Sequence, residues 1–140
     1  MSIQTLRRLH SALAAVLAVL LIFVAVLIAP GWVMIQPRDI STDGKTLTFV
    51  RTVTLGTWAE WGTEVERLSD GQMFCPDDGY KYYEVRGYSP VRVSLGCREP
   101  LDPGVYLVRA CWSPYVLGIP LRATCLQDDF IVAEPAPPHG

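Results

Sequence analysis

Asparagine is absent from the 140 residues, lysine occurs only as Lys45 and Lys81, and the two histidines stand at positions 10 and 139. Each shortage excludes something. Without Asn there is no acceptor for N-glycosylation. With His10 and His139 at the extremes, no imidazole is placed to serve a Ser–His or Cys–His hydrolase, and no nucleophile motif is present. Arg is spread among the acids at a net charge of −2, so no basic patch argues for nucleic acid. Cys75, Cys97, Cys111 and Cys125 show no C-x-x-C knuckle and have no His among them, which argues against zinc. The paired acids Asp77/Asp78 and Asp128/Asp129 read as a solvated turn and as strand-edge residues. Two adjacent carboxylates do not make the six- to eight-oxygen cage of calcium, and nothing indicates the cleft that glycosidase carboxylates need. No catalytic residue, metal or cofactor is expected, and the chain is not read as an enzyme.

What the sequence does have is a run from Ala12 to Ala29 made only of Ala, Val, Leu, Ile and Phe. As a helix it covers about 27 Å, close to a hydrocarbon core of roughly 30 Å. It lacks the polar stripe of a soluble core helix. Arg7, Arg8 and His10 precede it, and no cation follows until Arg38, so the positive-inside rule places the N-terminus in the cytoplasm and the remainder outside. Trp32 suits the outer interface. The run is longer than a signal-peptide core and its cleavage pattern is poor, which favours an uncleaved, single-pass signal anchor over a cleaved leader. No Cys near its end allows a lipoprotein. Small residues four apart, at Ser11/Ala15, Ala14/Ala18 and Ala25/Ala29, would permit close helix approach, though lipid-facing filler is the simpler reading. The expected division is a cytoplasmic segment 1–10, a transmembrane segment 11–35, a polar tether 36–44, a β domain 45–132 and a Pro-rich tail 133–140.

A domain of that size has a marginal core and gains from staples. An even cysteine count on the outer side of a membrane reads as two disulfides. Cys111 and Cys125 lie symmetrically about Gly118, so a hairpin turning there sets them face to face. Cys111–Cys125 with Cys75–Cys97 is the preferred pairing; nested and crossed connectivities are the alternatives. Strand signals begin where Leu47, Phe49, Val53 and Leu55 alternate with threonines. Arg51 interrupts that apolar face, which predicts an edge strand. Ala59, Trp61, Thr63 and Val65 form the next inward face, with Trp61 as the candidate central aromatic. Gln72–Cys75 is a short return strand, 75–79 a loop and Tyr80 to Val85 a Tyr-rich stretch. Arg86 to Pro90 is irregular and 91–95 is half-buried strand. Tyr106, Val108, Ala110, Trp112, Phe130 and Val132 should point inward.

The stretch Asp102-Pro103-Gly104-Val105-Tyr106-Leu107-Val108 resembles the corner before the penultimate strand of immunoglobulin-like sandwiches, where a Tyr hydroxyl bonds back to the backbone. Val108 stands where antibody domains carry their second Cys, so their inter-sheet disulfide is not expected. The resemblance implies an all-β, immunoglobulin-like sandwich of about seven strands, with Asp102, Gly104 and Tyr106 forming a structural corner after the N-terminal transmembrane helix.

The tip of the last hairpin, Tyr115, Val116, Leu117, Gly118, Ile119, Pro120 and Leu121, is apolar where a hairpin tip is normally polar. Contiguous exposed apolar surface marks membrane or partner contacts. Tyr115, Val116, Leu117, Ile119 and Leu121 are therefore expected to rest on the outer leaflet or a neighbouring membrane protein; the alternative is that the tip folds back over the sandwich end. The tip is expected at the same pole as Lys45, where the first strand should start beside the anchor. The functional expectation is a membrane-anchored, extracytoplasmic (periplasmic or extracellular) module for binding, adhesion or envelope assembly. Its partners would be the lipid bilayer and another membrane or envelope protein. The alternative is a membrane-active or lysis-control factor, homo-oligomerising through its helix, in a layout similar to that of some phage holins.

Overall fold

The computed structural model describes residues 3–136; the end of the expected tail, with His139, lies outside them. An apolar helix, α1 (Ile3–Ile28), opens the chain. None of its 26 residues is buried in the isolated chain, although Val26 near its end packs against the core of the β domain, and the helix is long and apolar enough to cross a membrane. It takes in most of the expected cytoplasmic segment, because nothing between Ile3 and Ala12 breaks a helix. It stops before the expected limit of 35. Pro30 lacks an N–H and disfavours helix in the residue before it, so the chain turns through one 3-10 turn, Gly31–Val33. Met34 and Ile35 then belong to the core of the β domain and not to the span.

Eight strands follow: β1 (Ile35–Thr42), β2 (Thr46–Val53), β3 (Thr57–Arg67), β4 (Gln72–Tyr83), β5 (Arg86–Ser94), β6 (Gly104–Val116), the two-residue β7 (Ile119–Pro120) and β8 (Thr124–Val132). They build two antiparallel sheets, one in the order β1-β2-β5 and one in which β4, β3, β6 and β8 lie side by side, with β7 returning along the end of β6. The fold is one helix followed by a mostly β domain. Inward residues of both sheets meet in one core that includes Leu47, Phe49, Val65, Tyr106, Val108 and Trp112.

Several sequence expectations are corrected. The segment 36–44 is not a polar tether: most of it is β1, whose alternation is masked by Pro37 and by a bulge with Asp39 at φ 54°. Pro37 is tolerated because β1 is an edge strand. The β2 strand is not at an edge but in the middle of its sheet. Arg51 survives there because its guanidinium lies 4.7 Å over the Tyr83 ring, which offsets part of the cost of a half-buried charge. The expected loop 75–79 is part of β4, with a register shift at Cys75–Pro76 and Cys75 at φ 51°. Trp61 is only partly buried; the central aromatic is Trp112, 4% exposed and 5.0 Å from Phe49 between ring centroids. Leu55, expected inward, is exposed in the turn after β2. The inward set Tyr106, Val108, Ala110, Trp112 and Phe130 is buried, and Val132 packs against it.

The disulfides join Cys75 to Cys97 and Cys111 to Cys125. The first ties β4, in one sheet, to the loop after β5, in the other. The second links directly paired residues of β6 and β8, whose Cα atoms are 4.1 Å apart. At the corner, the buried Tyr106 hydroxyl donates to the Asp102 carbonyl at 2.8 Å. Gly104 is not sterically required: a Cβ there would stand 3.5 Å from the Tyr106 ring, an ordinary contact.

The strand registers define two poles. Turns 54–56, 84–85 and 117–118 lie at the end where α1 enters, and turns 43–45, 68–71 and 95–103 lie at the far end. Lys45 is therefore opposite the hairpin tip, contrary to expectation, because the first strand begins at Ile35, ten residues early. The entry is tightly held. Gly31 N–H donates to the Arg122 carbonyl at 2.8 Å, and a Cβ at Gly31 would fall 2.7 Å from that oxygen and 2.8 Å from Pro114 Cδ, so only glycine fits.

Candidate functional site

Strand alternation sorts the outer face of the second sheet. On β3, Ala59 and Val65 point inward, which turns Trp58 and Glu60 outward; β4 sets Tyr82 opposite Trp58 and Tyr80 opposite Glu60. Tyr115, near the end of β6, completes a row of four aromatic side chains. Trp58 stacks on Tyr80 at 5.0 Å and meets Tyr82 edge-on at 5.7 Å, while Tyr80 meets Tyr115 edge-on at 5.5 Å. Trp58, Tyr80 and Tyr82 are each half or more exposed.

The row is held by polar chemistry at one end. The Tyr115 hydroxyl donates to Glu60 Oε1 at 2.6 Å. That hydrogen bond, with some desolvation and the carboxylate's charge, pushes the Tyr115 hydroxyl above the usual phenol range. Farther along the same face the Arg109–Glu64 pair at 2.9 Å and the Cys111–Cys125 bridge replace the aromatics. Mutually packed rings present a large apolar area at low entropic cost, with hydroxyl and indole tips for orientation. Trp and Tyr in this setting dominate binding hot spots.

The expected contact residues divide. Leu117 is 91% exposed, Leu121 is buried at 4%, and Tyr115, Val116 and Ile119 are half-buried. Leu117 and Gly118 sit at φ 51° and 77° in a two-residue turn between Val116 and Ile119. That backbone favours Asn, Asp or Gly, so an outward Leu there is costly in both hydration and conformation. The tip thus splits between the two sequence readings: Leu121 folds back to cover the sandwich end, while Leu117 stands free.

A cationic cluster occupies the open side between the sheets. Lys81 Nζ lies 5.0 Å from the Tyr83 ring centroid and 5.9 Å from that of Trp61, beside Arg51. Burial, then the neighbouring charge, lowers the Lys81 ammonium from its ordinary value, and burial raises the Tyr83 hydroxyl. An inward-leaning Lys on the edge strand β4 also discourages edge-to-edge pairing. Asp77 and Asp78 are exposed on β4, and Asp128 and Asp129 lie on β8 as one half-buried and one exposed residue. Among the described residues no group of three or more His, Cys, Asp or Glu could hold a metal ion.

The aromatic row escaped the sequence reading. Its signal was Trp58 itself, which falls on the Glu60 face of an otherwise clean alternation; a Trp on the polar side of a strand has no core to explain it. Tyr80 and Tyr82 could not be added, since a loop at 75–79 left their register with β3 undefined. No protein-family model matches the chain, and no curated protein matches it.

Proposed function

We propose that the protein is a single-pass, membrane-anchored binding module, N-terminus in the cytoplasm, whose extracytoplasmic β domain recognises a neighbouring membrane or envelope protein without catalysing a reaction. The observation that carries this reading is the aromatic row Trp58, Tyr80, Tyr82 and Tyr115, exposed at its first three members, on the anchor-side half of one sheet. Exposed α1 supplies the tether to lipid, and the disulfides suit an oxidising compartment. We read the domain as an immunoglobulin-like sandwich. Strands 1, 2 and 5 oppose strands 3, 6 and 8 as in that architecture, and the Tyr106 corner is formed. It departs from the seven-strand constant type in that β4 stays beside β3 and not beside β5.

In-cell photo-crosslinking tests the binding role. A photoreactive residue at Tyr80 should give a discrete adduct that Trp58→Ala removes, whereas one at Ile131, exposed on β8, should give none. Equal adducts at both positions, or none at either, would contradict the reading. The competing role, a lysis-control factor assembling through α1, draws on the small residues Ser11/Ala15 and Ala14/Ala18, four apart on the exposed part of the helix. Death on expression together with higher-order α1 crosslinks would favour it.

A further inference from the structure

The two poles of the β domain differ sharply in chemistry. At the far pole the turns expose Asp43, Lys45, Asp70, Arg98, Glu99 and Asp102, and Leu68 is the one large exposed apolar residue in a turn there among the described residues. At the pole where α1 enters, separate segments expose Trp32, Val33, Leu55, Val85 and Leu117. These residues come from four stretches that are distant in sequence, and the registers bring all of them to one end. Leu117 is held outward by a turn whose backbone favours other residues. No fold requirement explains such a choice, since an Asn or Gly would suit the turn better.

The pole is also fixed close to the end of the helix. Thr54 Oγ1 donates to the Val33 carbonyl at 2.6 Å and Thr54 N–H to the Met34 carbonyl at 2.9 Å, so the Leu55 turn is tied to the chain leaving α1. The 121–123 segment is tied to the same place by the Gly31–Arg122 hydrogen bond. Arg86 and Arg122 are exposed beside the apolar turns, and Glu84 is the acid of the 84–85 turn. Apolar tips ringed by cations match an acyl boundary bordered by phosphates.

We infer that this pole seats on the outer leaflet of the bilayer that α1 crosses, with Trp32, Leu55, Val85 and Leu117 in the lipid interface and Arg86 and Arg122 at headgroup phosphates. The inference rests on the reading of α1 as membrane-spanning. The domain then does not swing on a tether: it stands on the membrane with the aromatic row held just above the surface, facing sideways toward proteins in the same membrane.

The test uses the full chain in nanodiscs of phosphatidylcholine and phosphatidylglycerol, with spin labels at Leu117→Cys, at Ser69→Cys in the far turn and at Leu20→Cys in α1. Peptide mapping checks that both native disulfides are kept. The expected result is an oxygen-to-nickel accessibility ratio several-fold higher at 117 than at 69. Equal ratios at 117 and 69, with 20 shielded from nickel, overturn the seat and leave the anchor standing. Nickel access at 20 overturns the anchor and the seat with it. Should added cysteines disturb the disulfides, the unmodified chain serves: a soluble gadolinium agent should spare the amide signals of 55, 85 and 117 in nanodiscs while broadening those of 44, 70 and 98. Equal broadening overturns the seat.

Discussion

The hydroxyl of Tyr106 reaches back four residues to the carbonyl of Asp102, 2.8 Å away, from a side chain with no exposed surface. Its ring is stacked on Phe130 at 5.6 Å and meets Phe74 edge-on at 5.9 Å, so the corner also joins β4, β6 and β8. Tyr106→Phe keeps the ring contacts and removes only the hydrogen bond. It should lower the unfolding free energy by about 1–2 kcal/mol, read from the urea midpoint of the detergent-solubilised chain. An unchanged midpoint would show that the corner is a consequence of packing and not a support of it.

Removing either disulfide should cost about 3 kcal/mol, because each closes a loop of roughly 14–22 residues. The bridges differ in what they hold. Cys111→Ala with Cys125→Ala loosens two strands already paired, while Cys75→Ala with Cys97→Ala releases one sheet from the other. Hydrogen exchange should therefore rise along β6 and β8 in the first variant and across both sheets in the second. Identical exchange patterns would contradict this division of labour.

The turn at Leu117 sets stability against the membrane seat. Leu117→Asn suits the positive φ and should raise the urea midpoint in detergent, by an equivalent of roughly 0.5–1 kcal/mol. A lower midpoint would mean that Leu117 makes a contact that stabilises the isolated domain.

Acid should weaken the far pole first. Backbone N–H groups of Thr46 and Lys45 hold the Asp43 carboxyl below its usual range, and Arg67 does the same for Asp70. Folded values below the unfolded value of 3.8 mean that this stabilisation is present above pH 3.8 and is lost as pH falls through the depressed values. Asp43→Asn and Asp70→Asn should flatten the acid limb of the stability profile by lowering stability at pH 7, while the variants and the parent converge at the acid end. A limb as steep as the parent's would place the acid response elsewhere.

How much of this was legible in sequence depends on how local each signal was. α1 announced itself through composition, the inward face of β6 through alternation, and Cys111–Cys125 was preferred for its symmetry about Gly118, which left Cys75 with Cys97 while nested and crossed pairings stayed open. What failed was set by partners distant in the chain. Arg51 looked like an edge residue because Tyr83, the ring that shelters it, lies thirty-two positions away. Pro37 and the Asp39 bulge hid β1, and that hidden strand moved Lys45 to the wrong pole. The aromatic row needed the register of β3 against β4, which the bulge at Cys75–Pro76 offsets. Trp61 and Trp112 lie directly across from each other in the paired strands, and only the sheets' closure decides which is central.

In the proposed arrangement the β domain lies outside a membrane held by α1, and the scarcity of lysine makes that arrangement measurable. Lys45 is exposed at the far pole, well away from the bilayer. In intact cells a membrane-impermeant amine reagent should modify Lys45 to the same extent as after lysis. Modification of Lys45 only once the membrane is breached would contradict the account.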